Sequence, residues 1–177
     1  MNTIDSHQFM LPPNYPKARE ILLTDFPSLG HDLPIRGGWG YSMEDAVIID
    51  RNDPAAQYYP LFNYVSMEYT FVEKRLYEEL IISRERGKGY SGIEWNLERQ
   101  SLLSDQGREY DELVFSVTMF ADKDWEFLKS DWESHRGYRG DRLGLEEHER
   151  KREFLLLGMT ETFFFDITLS RKKGNRE

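Results

Sequence analysis

The chain has 177 residues, enough for one domain with an apolar core. Aromatic residues make up 14% of it, which argues against a disordered chain because aromatic side chains bury large areas. The absence of cysteine excludes disulfides and thiolate metal sites. The formal net charge of −9 disfavours nucleic-acid binding, which needs a basic surface, and permits pairing with a basic protein.

Other functional classes also lack support in the sequence. Residues 1–10 lack the basic start and apolar stretch of a signal peptide, and no apolar run reaches the length of about 18 residues that suggests a membrane span. The four histidines are scattered, and the glycine-rich phosphate-binding motifs are missing. We therefore expect a cytoplasmic protein that uses no cofactor, metal or membrane anchor.

The N-terminal part predicts little regular structure. Residues 1–13 are expected to form a loose arm that ends in a Pro-Pro pair. Pro16 is suited to the first turn of a short helix, with Leu22 toward the core. The folded domain is expected to cover residues 14–170, followed by a loose basic tail at residues 171–177.

The passage Gly37–Asp45 is the most motif-like part of the sequence. Its glycines would let a ligand approach the backbone, Trp39 and Tyr41 offer flat aromatic walls, and Glu44 or Asp45 would supply a base or an anchor. This interpretation predicts a small enzyme or a ligand-binding domain. The same residues also describe a bend whose tryptophan folds into the core.

Two segments before the middle of the chain are candidate strands. Residues 46–50 form a short apolar run. Residues 64–71 alternate apolar and polar side chains, which favours a strand, although a helical spacing that starts at Val65 also fits. For residues 72–84 the pattern leaves helix and strand open.

The middle of the chain predicts a hairpin. Residues 92–98 and 110–120 alternate with period two, and Gly107 lies in the turn between them, where a positive φ is expected. A last strand is predicted at residues 160–170. We therefore expect an α+β fold: a single domain with an antiparallel sheet of about five strands and helices packed mainly on one face.

A helix is predicted after the hairpin, because Trp125, Leu128 and Trp132 recur at three- and four-residue spacings. Aromatic stripes at this spacing usually face inward, so both tryptophans are expected in the core. The arginines of the glycine-rich loop Arg136–Arg142 would grip phosphate or RNA, or the loop is only a mobile connector. A charged helix is predicted at Glu146–Arg152.

Acidic residues are concentrated in the hairpin and the helix that follows it. Between residues 105 and 133, nine acids stand against three bases. Their positions in the turn or opposite the apolar residues predict exposed side chains, which would either keep the surface solvated or bind a basic protein. The second possibility predicts a non-catalytic binding protein of inhibitor or immunity type. Its acidic face would comprise Asp105, Glu109, Asp111, Glu112, Glu126 and Glu133.

Overall fold

The computed structural model describes residues 1–171, which contain four α-helices and a six-stranded sheet. These elements confirm the predicted α+β class. The helices are α1 (Ala18–Asp25), α2 (Tyr64–Tyr77), α3 (Asp122–Ser134) and α4 (Arg142–Leu155). The strands are β1 (Asn2–Thr3), β2 (Ile35–Gly37), β3 (Val47–Ile49), β4 (Tyr90–Asp105), β5 (Arg108–Ala121) and β6 (Leu157–Asp166).

The sheet has the strand order β2-β3-β6-β5-β4, and β1 also pairs with β6. β2 runs antiparallel to β3, with Ile35 opposite Ile49, whereas β1 and β3 run parallel to β6. β4 and β5 form the predicted hairpin. Its turn residues Gln106 and Gly107 have positive φ values of 48° and 80°, as a two-residue hairpin turn requires. The sheet is therefore mostly antiparallel, with two parallel pairings.

The chain divides into two compact units, each assembled from three stretches of sequence. The first unit comprises Met1–Met10, Glu79–Asn96 and Phe115–Glu161, and the second comprises Leu11–Glu78, Leu97–Val114 and the chain from Thr162 onward. Strands β4, β5 and β6 contribute residues to both units. The predicted domain limits at residues 14 and 170 stay a prediction.

Each unit has its own apolar interior. In the second unit, α2 fully buries Phe71, Val72 and Leu76. The ring of Phe71 meets the ring of Phe165 on β6 edge to face, with 5.7 Å between centroids. In the first unit, β5, α3 and β6 supply buried side chains that include Phe115, Val117, Phe120, Leu128 and Met159.

Helix α2 occupies the segment 64–71, so the strand predicted there is wrong. Asn63 caps its N-terminus, where the Asn63 side-chain oxygen accepts a hydrogen bond from the backbone N–H of Val65 at 3.0 Å. The open segment 72–84 remains helical to the end of α2 and then forms one π-helical turn, Glu78–Ile82.

The alternation was misleading because α2 buries charged residues beside apolar ones. Val65 and Tyr69, which the strand pattern places inside, are 37% and 40% exposed. Glu68 and Arg75, which a hydrophobic pattern places outside, are both 0% exposed. A buried charge is tolerated only with polar partners or after neutralisation, so contacts far apart in sequence decide which side of α2 faces inward.

Residues 1–13 have more structure than the loose arm expected of them. Asn2–Thr3 forms β1 and pairs with the start of β6. Phe9 is 2% exposed and contacts the ring of Tyr90 edge to face, with 5.3 Å between centroids.

The C-terminal strand is present as β6, Leu157–Asp166, which overlaps the predicted range 160–170 but begins three residues and ends four residues earlier. Of the basic tail predicted at residues 171–177, the structure describes Arg171, which forms an ion pair with Glu109 at 2.9 Å. The remainder of the predicted tail lies outside the described residues.

Two buried carboxyl groups are neighbours in the second unit. Glu68 on α2 is 0% exposed, and Asp111 on β5 is 3% exposed and accepts a hydrogen bond from the Gln100 amide at 3.2 Å. Burial raises the pKa of Glu68 to about 9, and the neighbouring Asp111 carboxyl adds to the rise. In the folded chain Glu68 is therefore protonated at neutral pH.

We expect Glu68→Gln to flatten the pH dependence of stability. The pKa of Glu68 is about 9 when folded against an ordinary value of 4.5, so its contribution is fully present below 4.5 and is lost as the pH rises toward 9. Glutamine resembles the protonated acid and cannot ionise. In urea unfolding, the variant and the parent should have similar free energies of unfolding near pH 4.5. Near pH 8 the variant should be more stable by at least about 1.4 kcal/mol, the equivalent of one pKa unit. A variant of equal or lower stability near pH 8 would show that Glu68 is ionised in the folded chain.

Candidate functional site

The Gly37–Asp45 loop is closed by one of its own carboxylates. Asp45 accepts hydrogen bonds from the backbone N–H groups of Trp39 at 3.1 Å and Tyr41 at 3.3 Å. Gly38 permits this closure, because a Cβ atom there would overlap the Asp45 carboxylate. One of the two acids predicted as a base or anchor therefore has a structural role.

Arg75 on α2, fully buried, holds the loop from the inside of the second unit. Its Nη1 donates hydrogen bonds to the carbonyl oxygens of Trp39 at 3.3 Å and Thr162 at 3.2 Å. The guanidinium carbon also lies 4.1 Å from the ring centroid of Tyr41 and 4.0 Å from that of Phe163. These carbonyl and ring contacts replace part of the hydration that a cation loses on burial.

The aromatic side chains of the loop are engaged as well. The Tyr41 hydroxyl accepts a hydrogen bond from the backbone N–H of Leu11 at 2.9 Å. Trp39 is 6% exposed, and its indole N–H donates to the carbonyl of Pro16 at 3.0 Å. Glu44 is the exposed member of the four predicted site residues of this loop. This geometry favours the interpretation of the loop as a bend.

Asp111 contradicts the expected exposure of the acidic face, because it is 3% exposed. It occupies the same set of alternate positions on β5 as Leu113 and Phe115, which are each 1% exposed. Side chains two residues apart point to the same face of a strand, so the alternation turns Asp111 inward. Asp111 is therefore too far along β5 from the turn at Gln106 and Gly107 for its side chain to reach solvent.

The other five predicted acids differ in their partners. Glu109 forms an ion pair with Arg171 at 2.9 Å, and Glu112 forms one with Arg99 at 3.1 Å. The remaining three are exposed: Asp105, Glu126 and Glu133. Asp105 belongs to the second unit, whereas the two glutamates lie on α3 in the first unit.

In the first unit, α3 packs against α4, and the apolar stripe of α3 is only partly covered. Leu128 is 4% exposed, and Trp125 is half-buried against the ring of Phe120, with 5.4 Å between centroids. Trp132 is 45% exposed, so the prediction that both tryptophans lie in the core is wrong for Trp132. The stripe is wider than the interior, and its outer edge borders an open groove between the helices.

A cluster of three polar side chains joins α3 to α4. Asp131 accepts a hydrogen bond from the Tyr138 hydroxyl at 2.8 Å and lies 2.8 Å from Nδ1 of His148. A carboxylate can only accept, so Nδ1 carries a proton, and when the ring is neutral Nε2 is left as an acceptor. The hydrogen bonds from His148 and Tyr138 lower the pKa of Asp131. Burial and the Asp131 contact raise the pKa of Tyr138 to about 12.

Sequence reasoning missed this cluster. Asp131 and His148 are 17 positions apart, and neither belongs to a recognisable motif. The available signal was the helical spacing between Leu145 and His148, which puts both on one side of α4. Tyr138 of the loop Arg136–Arg142 is 7% exposed and anchors that loop to α3.

The groove between α3 and α4 has a volume of about 370 Å³. Its apolar lining consists of Trp125, Leu128, Trp132 and Leu145, and its polar lining of Lys129, Glu133, His148, Glu149 and Arg152. A second hollow of about 290 Å³ in the same unit shares Glu149 and Arg152 and also contacts Glu94 and Glu153. Glu133 therefore lies beside the tryptophans, whereas helical spacing alone had placed it away from them.

Glutamates of the two helices that line neither the groove nor the hollow have local ion-pair partners. Glu126 pairs with Lys129 at 3.3 Å, and α4 carries two further local pairs. These are Arg142 with Glu146 at 2.9 Å and Arg150 with Glu147 at 3.0 Å. Along the groove and the hollow, four carboxylates have no ion-pair partner among residues 1–171: Glu94, Glu133, Glu149 and Glu153.

Comparisons with protein-family models, curated proteins and solved structures found no match for the chain. In the part of the chain that the structure describes, no helix combines the length and apolar character needed to cross a membrane. The same residues contain no group of three or more histidine, aspartate or glutamate side chains arranged to hold a metal ion.

We expect Asp45→Ala to destabilise the chain and Glu44→Ala to leave its stability nearly unchanged. The first substitution leaves the N–H groups of Trp39 and Tyr41 without their acceptor, a loss of about 1–3 kcal/mol for buried donors. The second removes an exposed side chain next to it. Chemical unfolding of both variants measures the difference. Equal stabilities of the two variants would contradict the structural role of Asp45.

Proposed function

We propose that this protein is a non-catalytic binding protein that engages a basic protein partner through α3 and its surroundings. The observation that carries the proposal is Trp132, which is 45% exposed on a helix that also presents exposed Glu126 and Glu133. Tryptophan is enriched among the residues that dominate binding energy at protein interfaces. Carboxylates around such an anchor favour a partner of opposite charge and speed its association.

The net negative charge of the chain also supports a basic partner. A formal net charge of −9 attracts basic proteins over distances of about 8 Å at physiological ionic strength. An inhibitor or immunity-type module, which covers the working surface of a basic protein, fits this description. The proposed surface is narrower than the six-residue acidic face predicted from the sequence. Asp111 is buried, and Asp105, Glu109 and Glu112 belong to the second unit, whereas α3 belongs to the first.

The alternative of a small enzyme built on the Gly37–Asp45 loop has no observation in its favour. Asp45 closes the loop, Trp39 is buried, and Tyr41 lies against the guanidinium of Arg75. The proposed function therefore leaves the loop its structural role.

The proposal is tested by capturing partners from native lysate at low salt and then measuring the association rate of each purified partner. A basic partner should associate more slowly as salt rises, because exposed charges are screened. Glu133→Lys should lower the association rate about tenfold at low salt, whereas Glu44→Lys, an equal change of charge in the second unit, should change it much less. Both substitutions are at exposed positions, and unchanged melting would show that the folds are intact.

A captured partner that binds equally well at all salt concentrations and to both variants would contradict the proposal. The negative charge of α3 would then serve only to keep the surface solvated.

A further inference from the structure

The floor of the α3–α4 groove is suited to the side chain of a lysine or arginine. Trp125 and Trp132 line it together with Leu145, and the volume of about 370 Å³ lies in the range of about 300–1,000 Å³ found for binding pockets. Indole rings attract cations through their faces, and apolar walls accept the aliphatic stem of such a side chain.

The carboxylates at the rim match the charge of such a side chain. Glu133 and Glu149 line the groove, and neither has an ion-pair partner among the described residues. Glutamates of α4 that line neither the groove nor the adjoining hollow do have partners, as in Arg142–Glu146 and Arg150–Glu147. The groove and the adjoining hollow together present four carboxylates without an ion-pair partner among the described residues, against two cationic side chains, Lys129 and Arg152.

The two cations of the groove already have contacts of their own. Lys129 pairs with Glu126 at 3.3 Å, and the guanidinium of Arg152 lies 5.8 Å from the ring centroid of Phe120. Neither cation is paired with Glu133 or Glu149.

His148 contributes a ring nitrogen, Nε2, as a further polar group of the groove. It is 7% exposed, lines the groove, and uses Nδ1 for Asp131. No hydrogen bond to its Nε2 exists among the described residues. When the ring is neutral this nitrogen accepts, so a donor such as a guanidinium or an ammonium group matches it.

We infer that the groove binds a lysine or arginine side chain of an extended basic segment of the partner. The stem of that side chain packs between Trp125 and Trp132, and its charged head meets Glu133 and Glu149. A following basic residue of the segment reaches Glu94 and Glu153 in the adjoining hollow. This inference rests on the proposed function and names the surface and the chemistry of the partner.

A short synthetic peptide of alternating lysine and leucine is the probe, and tryptophan fluorescence or calorimetry of the full chain gives its Kd. Glu133→Gln/Glu149→Gln should weaken binding at least about tenfold, since each charge-assisted hydrogen bond is worth more than a neutral one. Glu146→Gln/Glu147→Gln is the matched control: it removes the same charge from exposed positions of the helical pair, outside the groove. It should change Kd by less than about twofold. An alternating glutamate and leucine peptide should not bind.

The outcomes separate the two levels of the proposal. If the lysine peptide binds the parent but the groove variant and the control variant weaken it equally, the groove is not the site, although a basic partner remains supported. If the parent does not bind the lysine peptide at all, the groove proposal is overturned, whereas the proposed function is still decided by the salt dependence of a captured partner. Equal binding of the glutamate peptide would show that the groove recognises apolar side chains without regard to charge.

Trp132→Phe, a milder change, should also weaken binding if the indole face contacts the cation.

Discussion

The buried guanidinium of Arg75 is the interaction on which the second unit depends. A cation without water is costly, and it is tolerated here because backbone carbonyls and two aromatic rings surround it. Those partners come from two places, the Gly37–Asp45 loop and β6, while Arg75 itself lies on α2. The loop therefore folds around the Arg75 guanidinium, and its glycines and aromatic residues allow the backbone and the rings to contact this cation.

Because some charged side chains are buried, the net charge of the chain differs from the charge that its surface presents. Among the described residues, six acids and two bases are buried, so part of the formal charge of −9 is not available to a partner. Glu68 illustrates the point, because its pKa of about 9 leaves it neutral in the folded chain. The acidity that matters for binding is therefore local, and α3 with α4 is where exposed carboxylates, a tryptophan and an open groove occur together.

Sequence reasoning predicted the elements whose pattern is simple and missed those that depend on distant polar contacts. The hairpin followed from strict alternation and a glycine turn, and α3 from its apolar spacing. Helix α2 was mistaken for a strand because its inward side carries Glu68 and Arg75, which no hydrophobic period detects. Of the candidate site, Glu126 and Glu133 were predicted. The Asp131–His148 contact was not, since two helices bring together residues 17 positions apart.

The most direct test of the account is to follow the indole N–H signals of the four tryptophans by NMR during titration with the lysine and leucine peptide. Trp125 and Trp132 line the groove, whereas Trp39 is 6% exposed and donates its indole N–H to Pro16 within the second unit. The account predicts that the signals of Trp125 and Trp132 shift in proportion to occupancy while that of Trp39 stays in place. A saturating shift confined to Trp39 or Trp95, with Trp125 and Trp132 unmoved, would contradict it.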